Sequence, residues 1–375
     1  MKFPFFHAAA ALTAAIAAPA AAEPVTDCPN RDAPFSASTP LIDILLSPEA
    51  SAVAEKELDA SFDEAPPQFA GTTPPTFAAI LSLRELAGIA GKSADAAERA
   101  IKAIEALPVT EADKIARCAR YDNDKPDFDL PEGRPAILLF GKINGFKDVP
   151  SVDAAEAAIQ EIGERRGWTI ASTDKGGAIT PEILSKFDAV VWNNISGDVL
   201  TMSQRQALRD YVEGGGGFAA VHGSAGDPVY FWDWYVDTLI GARFAGHPMN
   251  PQFQDARVVV EDADHPAAAD LPAEWVMKDE WYSFRTSPRD SGARIIARLD
   301  ESSYSPEGRP GMQLRMGEDH PIAWSKIIGK GRSFYSAIGH MPETYAHPLY
   351  NAMLEDGIAW AAGLGDDACE CNENE

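Results

Sequence analysis

No cysteine occurs between Cys118 and Cys369. A thiolate nucleophile is therefore excluded from the whole middle of the chain, whatever fold it adopts. Basic residues are also scarce: 32 Lys and Arg stand against 57 Asp and Glu, a formal net charge of −25. Such a surface repels phosphate backbones, so nucleic acid is not an expected partner. A neutral small-molecule sugar carries no charge signature and stays open. Beyond the first residues, no stretch approaches the roughly 20 continuous apolar residues of a membrane-spanning helix.

What is present begins with Met1-Lys2, an alanine-rich apolar run from Phe3 to Ala18, and Pro19-Ala20-Ala21-Ala22-Glu23. One positive charge, a short apolar stretch and an Ala-x-Ala ending mark a secretory signal peptide over residues 1–22, cleaved after Ala22. The run is short for an uncleaved anchor, and Val25-Thr26-Asp27 before Cys28 is no lipidation signal. The expected mature protein is soluble, periplasmic or extracellular, and free of the membrane. In an oxidising compartment Cys28, Cys118, Cys369 and Cys371 allow three pairings. Cys28 with Cys118, clamping the ends of the N-terminal region, is the expected disulfide. The other two lie in an acidic tail, residues 366–375.

Residues 23–133 form an acidic region with proline breaks at Pro66-Pro67, Pro74-Pro75 and Pro131. Between the breaks, Phe77, Ile80, Leu81, Leu83 and Leu86, then Ala97, Ile101, Ile104 and Leu107, recur at helical spacing. Thr110 and Asp113 have the spacing of a capping box. A small helical appendage without a catalytic constellation is expected here.

From Arg134 the pattern becomes alternating strands and helices. Ala136 to Phe140, Trp168 to Ala171, Ala189 to Asn193 and Phe218 to Val221 read as buried strands. Val152 to Arg166, Pro181 to Phe187 and a segment capped by Ser203 read as the crossover helices. The expected fold is α/β, a doubly wound, flavodoxin-like parallel sheet over residues 134–365. Gly214 to Gly217 precede a strand rather than follow one, so they make a tight connection and not a phosphate loop. Ligands of such sheets bind beyond the carboxyl ends of the strands: Gly141 to Lys147, Asn193 to Asp198, and His222 to Asp227. After about Tyr230 the chain reads as less regular.

Six histidines lie outside the leader. His247, His265, His320 and His347 precede proline, a step that favours extended turns. His222 sits on a strand end facing the expected crevice, and His340 follows another strand, Phe334 to Gly339. Asp279-Glu280 precedes Trp281-Tyr282, a setting in which one of two adjacent carboxylates can hold a raised pKa for acid–base work. Tyr230, Phe231, Trp232, Trp234 and Tyr235 read either as a platform for sugar rings or as core. Ser224 lacks the glycine two residues before it that a hydrolase elbow needs.

In this order, GGGGFAAVHGSAG, WDWYVDTLIGARFAGHP, DADHPAAADLP, DEWYSF, LDESSY, HPIAW, GRSFYSAIGH and GIAWAAG resemble the ThuA-like, or trehalose-utilisation, family. With Leu138 to Lys142 and Asn193 to Asp198 upstream, the resemblance spans about residues 134–365. It implies a class I glutamine amidotransferase-like fold in which the His222 segment takes the place of the elbow cysteine. It also implies work on trehalose, related disaccharides or their 3-keto derivatives. Carried onto this chain, its motif positions are His222, His247, Asp279, Glu280 and His340. The family commonly reads Gly-Phe-Arg-His after the first strand, where this chain has Gly145-Phe146-Lys147-Asp148, so a histidine role there is lost or reassigned.

The resulting expectation is an exported enzyme acting on a glycoside or keto-sugar by acid–base or metal-assisted chemistry. His222, Asp279, Glu280 and His340 are its expected catalytic groups. Lys142, Asn194, Trp234, Tyr235 and Tyr282 are its expected sugar contacts. The sequence establishes no cofactor; His222, His247 and His340 are the candidate ligands of a divalent metal such as zinc. The rival expectation is a non-catalytic periplasmic carbohydrate-binding or scaffolding protein.

Overall fold

The computed structural model describes residues 24–309 and 311–365. The expected signal peptide and the tail cysteines, Cys369 and Cys371, lie outside the described residues. Among the described residues no helix is long and apolar enough to cross a membrane.

Five short strands make the parallel half of the sheet: β1 (Ala136–Phe140), β2 (Thr169–Thr173), β3 (Ala189–Asn193), β4 (Gly217–Val221), and further on β11 (Gly331–Ser336). Their order, β2-β1-β3-β4-β11, is the flavodoxin-like order, with every neighbouring pair parallel. β1, β3 and β4 are buried along their whole length, because helices cover both faces. The crossover helices are Val149–Arg166, Pro181–Leu184 and Met202–Glu213. The last is capped by Thr201 in a box with Gln204. Ser203, the expected cap, instead bonds Asp27 through both its N–H and its hydroxyl. It stands two places too far into the helix to receive the first free N–H groups.

The segment after Tyr230 is more regular than its sequence suggests. β5 (Phe244–Gly246) pairs with β8 (Ser283–Phe284), while β6 (Phe253–Val260), β7 (Glu274–Glu280), β9 (Arg294–Asp300) and β10 (Pro321–Ile328) continue the main sheet antiparallel. The full order is β2-β1-β3-β4-β11-β10-β9-β6-β7. β7 alternates exposed and buried residues up to Asp279, so one of its faces meets solvent. The single sheet is therefore parallel at one end and antiparallel at the other. The β6–β7 pair carries its end residues back to the carboxyl rim of β4 and β11.

The N-terminal region is helical, with Leu41–Leu45, Pro48–Leu58, Leu83–Ile89, Ala94–Glu105 and Glu111–Cys118. It closes its own core around Leu41, Ile44, Leu83, Ile101 and Ile104. Thr110 and Asp113 form the expected capping box. Cys28 and Cys118 are joined, with Cα atoms 5.3 Å apart. The region docks at the β1 loop, where the Thr76 N–H donates to the Asn144 carbonyl at 3.0 Å. A side chain at Gly145 would meet Ile80 and Ser196 at 2.5 Å or less, so this approach requires glycine.

Candidate active site

His222 is the first residue beyond β4 and opens a single 3₁₀ turn, His222–Ala225. Its φ of 34° lies in the left-handed region, which costs a side chain of this size energy and marks a sharp strand-to-helix elbow. The ring lies 4.2 Å from that of Tyr282, centroid to centroid, and is almost fully buried. Nδ1–H donates to the Ala337 carbonyl at 2.8 Å, which leaves the Nε2 lone pair pointing inward.

His340 follows β11 through Gly339, whose φ of 135° is open to glycine and strained for other residues. Asp279 holds this turn. Its two oxygens accept from the backbone N–H groups of Glu280, Gly339, His340 and Met341 and from the Thr344 hydroxyl. Burial pushes the Asp279 carboxyl up, and these donors work against that rise.

Glu280 does something different. Oε2 lies 3.0 Å from His340 Nδ1 and 3.5 Å from His222 Nε2, and those two nitrogens are 3.1 Å apart. Oε1 receives Gln252 Nε2 and lies 3.2 Å from His247 Nδ1. Burial alone would raise Glu280. Its contacts with His222 and His340, with the charge of His247, hold it instead well below the usual carboxylate range. Burial likewise pulls the His340 imidazolium down, but the Glu280 bond and the charges of Glu280, Asp148 and Asp279 raise it above an ordinary histidine. The far nitrogen of His340, Nε2, lies 3.3 Å from Asp148 Oδ2. His222 and His340 line a cleft of about 260 Å³, counting its open mouth, together with Phe146, Asp148, Asn194 and Tyr282.

A sequence profile of the ThuA family, described as trehalose utilisation, matches residues 136–361. The chain belongs to the ThuA family. Its fold is similar to that of a ThuA-like protein from Bacteroides uniformis, at 24% identity and a TM-score of 0.52, over 64% of this chain and 95% of that one. A ThuA-like protein from Parabacteroides merdae is similar over 61% of this chain and 90% of its own, at 16% identity and a TM-score of 0.45. No curated protein matches the chain.

Within the ThuA domain, the structure brings His222, His247, Glu280 and His340 together at the carboxyl rim of the sheet. Asn194 and Tyr282 also reach the cleft; Asn194 accepts from the Gly223 N–H and donates to the Tyr345 hydroxyl. The other expected sugar contacts lie elsewhere. Lys142 pairs with Asp122 and fastens the β1 loop to the N-terminal region. Tyr235 is turned into the core by a π-helical segment, Trp234–Ile240; it stacks on Trp192 and its hydroxyl donates to the Ser224 carbonyl. Trp234 packs beside Trp232 and Arg209. Of the candidate metal ligands, His222 and His340 stand together beside Glu280, whereas His247 Nδ1 faces Glu280 Oε1 and the Pro248 carbonyl.

Four residues escaped the sequence reading as site groups. Phe146 and Asp148 lie where the chain departs from the family motif, and that departure was the available signal. Phe253, edge-on to His340 at 5.1 Å, starts β6, and Gln252 directly precedes it.

Proposed function

We propose that the ThuA domain catalyses proton transfer on a neutral carbohydrate, with a 3-keto disaccharide or keto-glycoside as the best-suited substrate class. The observation that carries this reading is the His340–Glu280–His222 contact set at the end of the cleft. Removal of a proton beside a carbonyl needs an electrophile at the oxygen and a base near the carbon, and no covalent nucleophile. His340, lying between the carboxylates of Glu280 and Asp148, can present a proton to a substrate oxygen. His222 Nε2, with its lone pair turned inward by the Ala337 bond, can accept one. Phe146 and Tyr282 line the cleft with rings suited to the apolar side of a sugar.

The family's name supports carbohydrate work, and the elbow geometry at His222 supports catalysis at this rim. Export is part of the same proposal: the Cys28–Cys118 pair suits an oxidising compartment, and the leader has signal-peptide composition. The test incubates purified protein with a 3-keto disaccharide and, separately, its parent disaccharide, and follows both by NMR. Turnover of the keto form that disappears in His340→Ala is expected. Saturable binding of either sugar without turnover would replace the enzyme by a carbohydrate-binding protein.

A further inference from the structure

His222, Glu280 and His340 each bring one potential ligand atom to a common point. The Nδ1 proton of His222 is committed to the Ala337 carbonyl, so its Nε2 presents a lone pair. With Nε2 of His340 turned to the Asp148 carboxylate, a neutral ring keeps its proton there and presents a lone pair at Nδ1 as well. Glu280 Oε2 is an acceptor under any ordinary condition. With His340 neutral, three acceptors therefore point at one small volume, which a cation can fill in place of the His340 proton.

The spacing says what. A cation bound at 2.0–2.1 Å by nitrogen and oxygen separates neighbouring ligand atoms by about 3.3 Å in a tetrahedral site and about 2.9 Å in an octahedral one. The three separations here are 3.1, 3.0 and 3.5 Å. Each ligand also has an outer partner that orients it: the Ala337 carbonyl for His222, Asp148 for His340, and Gln252 with His247 for Glu280. Ligand histidines in metal sites almost always hold such a partner on the far nitrogen, frequently a carboxylate.

We propose that His222 Nε2, His340 Nδ1 and Glu280 Oε2 bind one divalent transition ion of the zinc kind, with its open positions facing the cleft. Two imidazoles disfavour magnesium and calcium, which take oxygen ligands. This assignment deepens the proposed function: the ion would be the electrophile for a sugar carbonyl in place of the proton on His340, and a water in the cleft would take the proton in place of His222, whose Nε2 the ion would occupy. It also gives Asp148 a job: a positioning residue that fixes the ring of His340.

The test uses the full-length chain after chelator dialysis, with Zn²⁺ and Mg²⁺ as separate probes in calorimetry and elemental analysis of the desalted protein. One equivalent of Zn²⁺ per chain, and no saturable Mg²⁺ binding, is expected. Glu280→Gln and His340→Ala should weaken Zn²⁺ by about a hundredfold or more, and Asp148→Asn by about 10–100-fold. His265→Gln, a histidine outside the cluster, should keep the wild-type affinity. Melting curves with and without Zn²⁺ guard against misfolded variants: the ion should raise the melting temperature of the wild type and leave that of folded Glu280→Gln unmoved. Folded wild type that takes up no Zn²⁺, that prefers Mg²⁺, or that binds equally after both ligand substitutions overturns the site. No substrate enters this experiment, so such a failure leaves the proton-transfer reading standing. A zinc-loaded protein that turns over no keto-sugar would overturn that reading and leave the metal site intact.

Discussion

Asp279 and Glu280 are chain neighbours with opposite tasks. Successive side chains at the end of β7 leave on opposite sides of the strand. Asp279 consequently reaches the Gly339–Met341 turn and spends its oxygens on backbone N–H groups, whereas Glu280 reaches the imidazoles of His222 and His340. One carboxylate holds the loop that the other one works beside.

Substitutions at the two positions should therefore separate stability from function. In Asp279→Asn one acceptor oxygen becomes an NH₂ group, which leaves a buried N–H or hydroxyl unpaired at roughly 1–3 kcal/mol each. A fall of several degrees in melting temperature is expected, with turnover lost only as the loop shifts. Glu280→Gln also takes an acceptor from Gln252 or an imidazole and should lower the melting temperature. The folded variant should nevertheless lose turnover by roughly 10²–10⁴-fold, where folded Asp279→Asn with its loop in place keeps it. Melting curves and initial rates on the same preparations check the pair; a stable, inactive Asp279→Asn would reverse the assignment.

Thiol chemistry gives a second separation. No cysteine lies in the ThuA domain, so activity should survive alkylation of a reduced, still folded sample. Reduction should nevertheless destabilise the N-terminal region. Cys28 and Cys118 close a segment with a sequence separation of 90, for which the chain-entropy model gives roughly 4–5 kcal/mol. Non-reducing peptide mapping checks the pairing, and finding both as free thiols in exported protein would end the idea.

How much of this was legible depended on whether a feature was local. His222 and His340 could be placed because each ends an apolar run, and the ends of parallel strands share one rim whatever the loop lengths. Which of Asp279 and Glu280 faces that rim could not be read, since a one-residue change of register swaps them. Asp148 was legible only as a departure from a motif, because its partner His340 stands 192 positions along the chain (340 − 148). The antiparallel extension hid for a related reason: β6 mixes buried, partly buried and exposed residues without clean alternation. Trp234 and Tyr235 carried the right chemistry for sugar stacking, but the direction of an aromatic ring follows from the backbone under it, here a π-helical turn.

Phe146 is the cleft residue that also touches the N-terminal region, with its ring 5.4 Å from Phe77 and 6.2 Å from His340. It is 42% exposed, high for a phenylalanine beside a polar cluster. If its free face carries part of the sugar, Phe146→Ala should raise KM about two- to tenfold with kcat little changed, the size of one aromatic contact made equally in ground and transition states. Steady-state kinetics on the keto-sugar decide it; a fall in kcat at constant KM would place Phe146 in the support of His340 instead.

Asp227 offers a pH test that does not involve the histidine cluster. Burial pushes its carboxyl up to about 7; hydrogen bonds from the Ser196 hydroxyl and the Gly197 N–H oppose the rise, and the nearby charge of Asp198 adds to it. In the unfolded chain the same group titrates near its ordinary 3.8. Between those values the folded protein holds a proton that the unfolded chain has released, so stability falls as pH rises. The contribution is fully present below about pH 4 and is lost as pH climbs through about 7. Asp227→Asn removes this titration and keeps a similar shape. Denaturant unfolding of both proteins from pH 4.5 to 8 should show the wild type losing stability relative to the variant across that window. The difference should flatten above pH 7. A difference that does not vary with pH would mean that Asp227 is already ionised in the folded protein, its charge carried by Ser196 and Gly197.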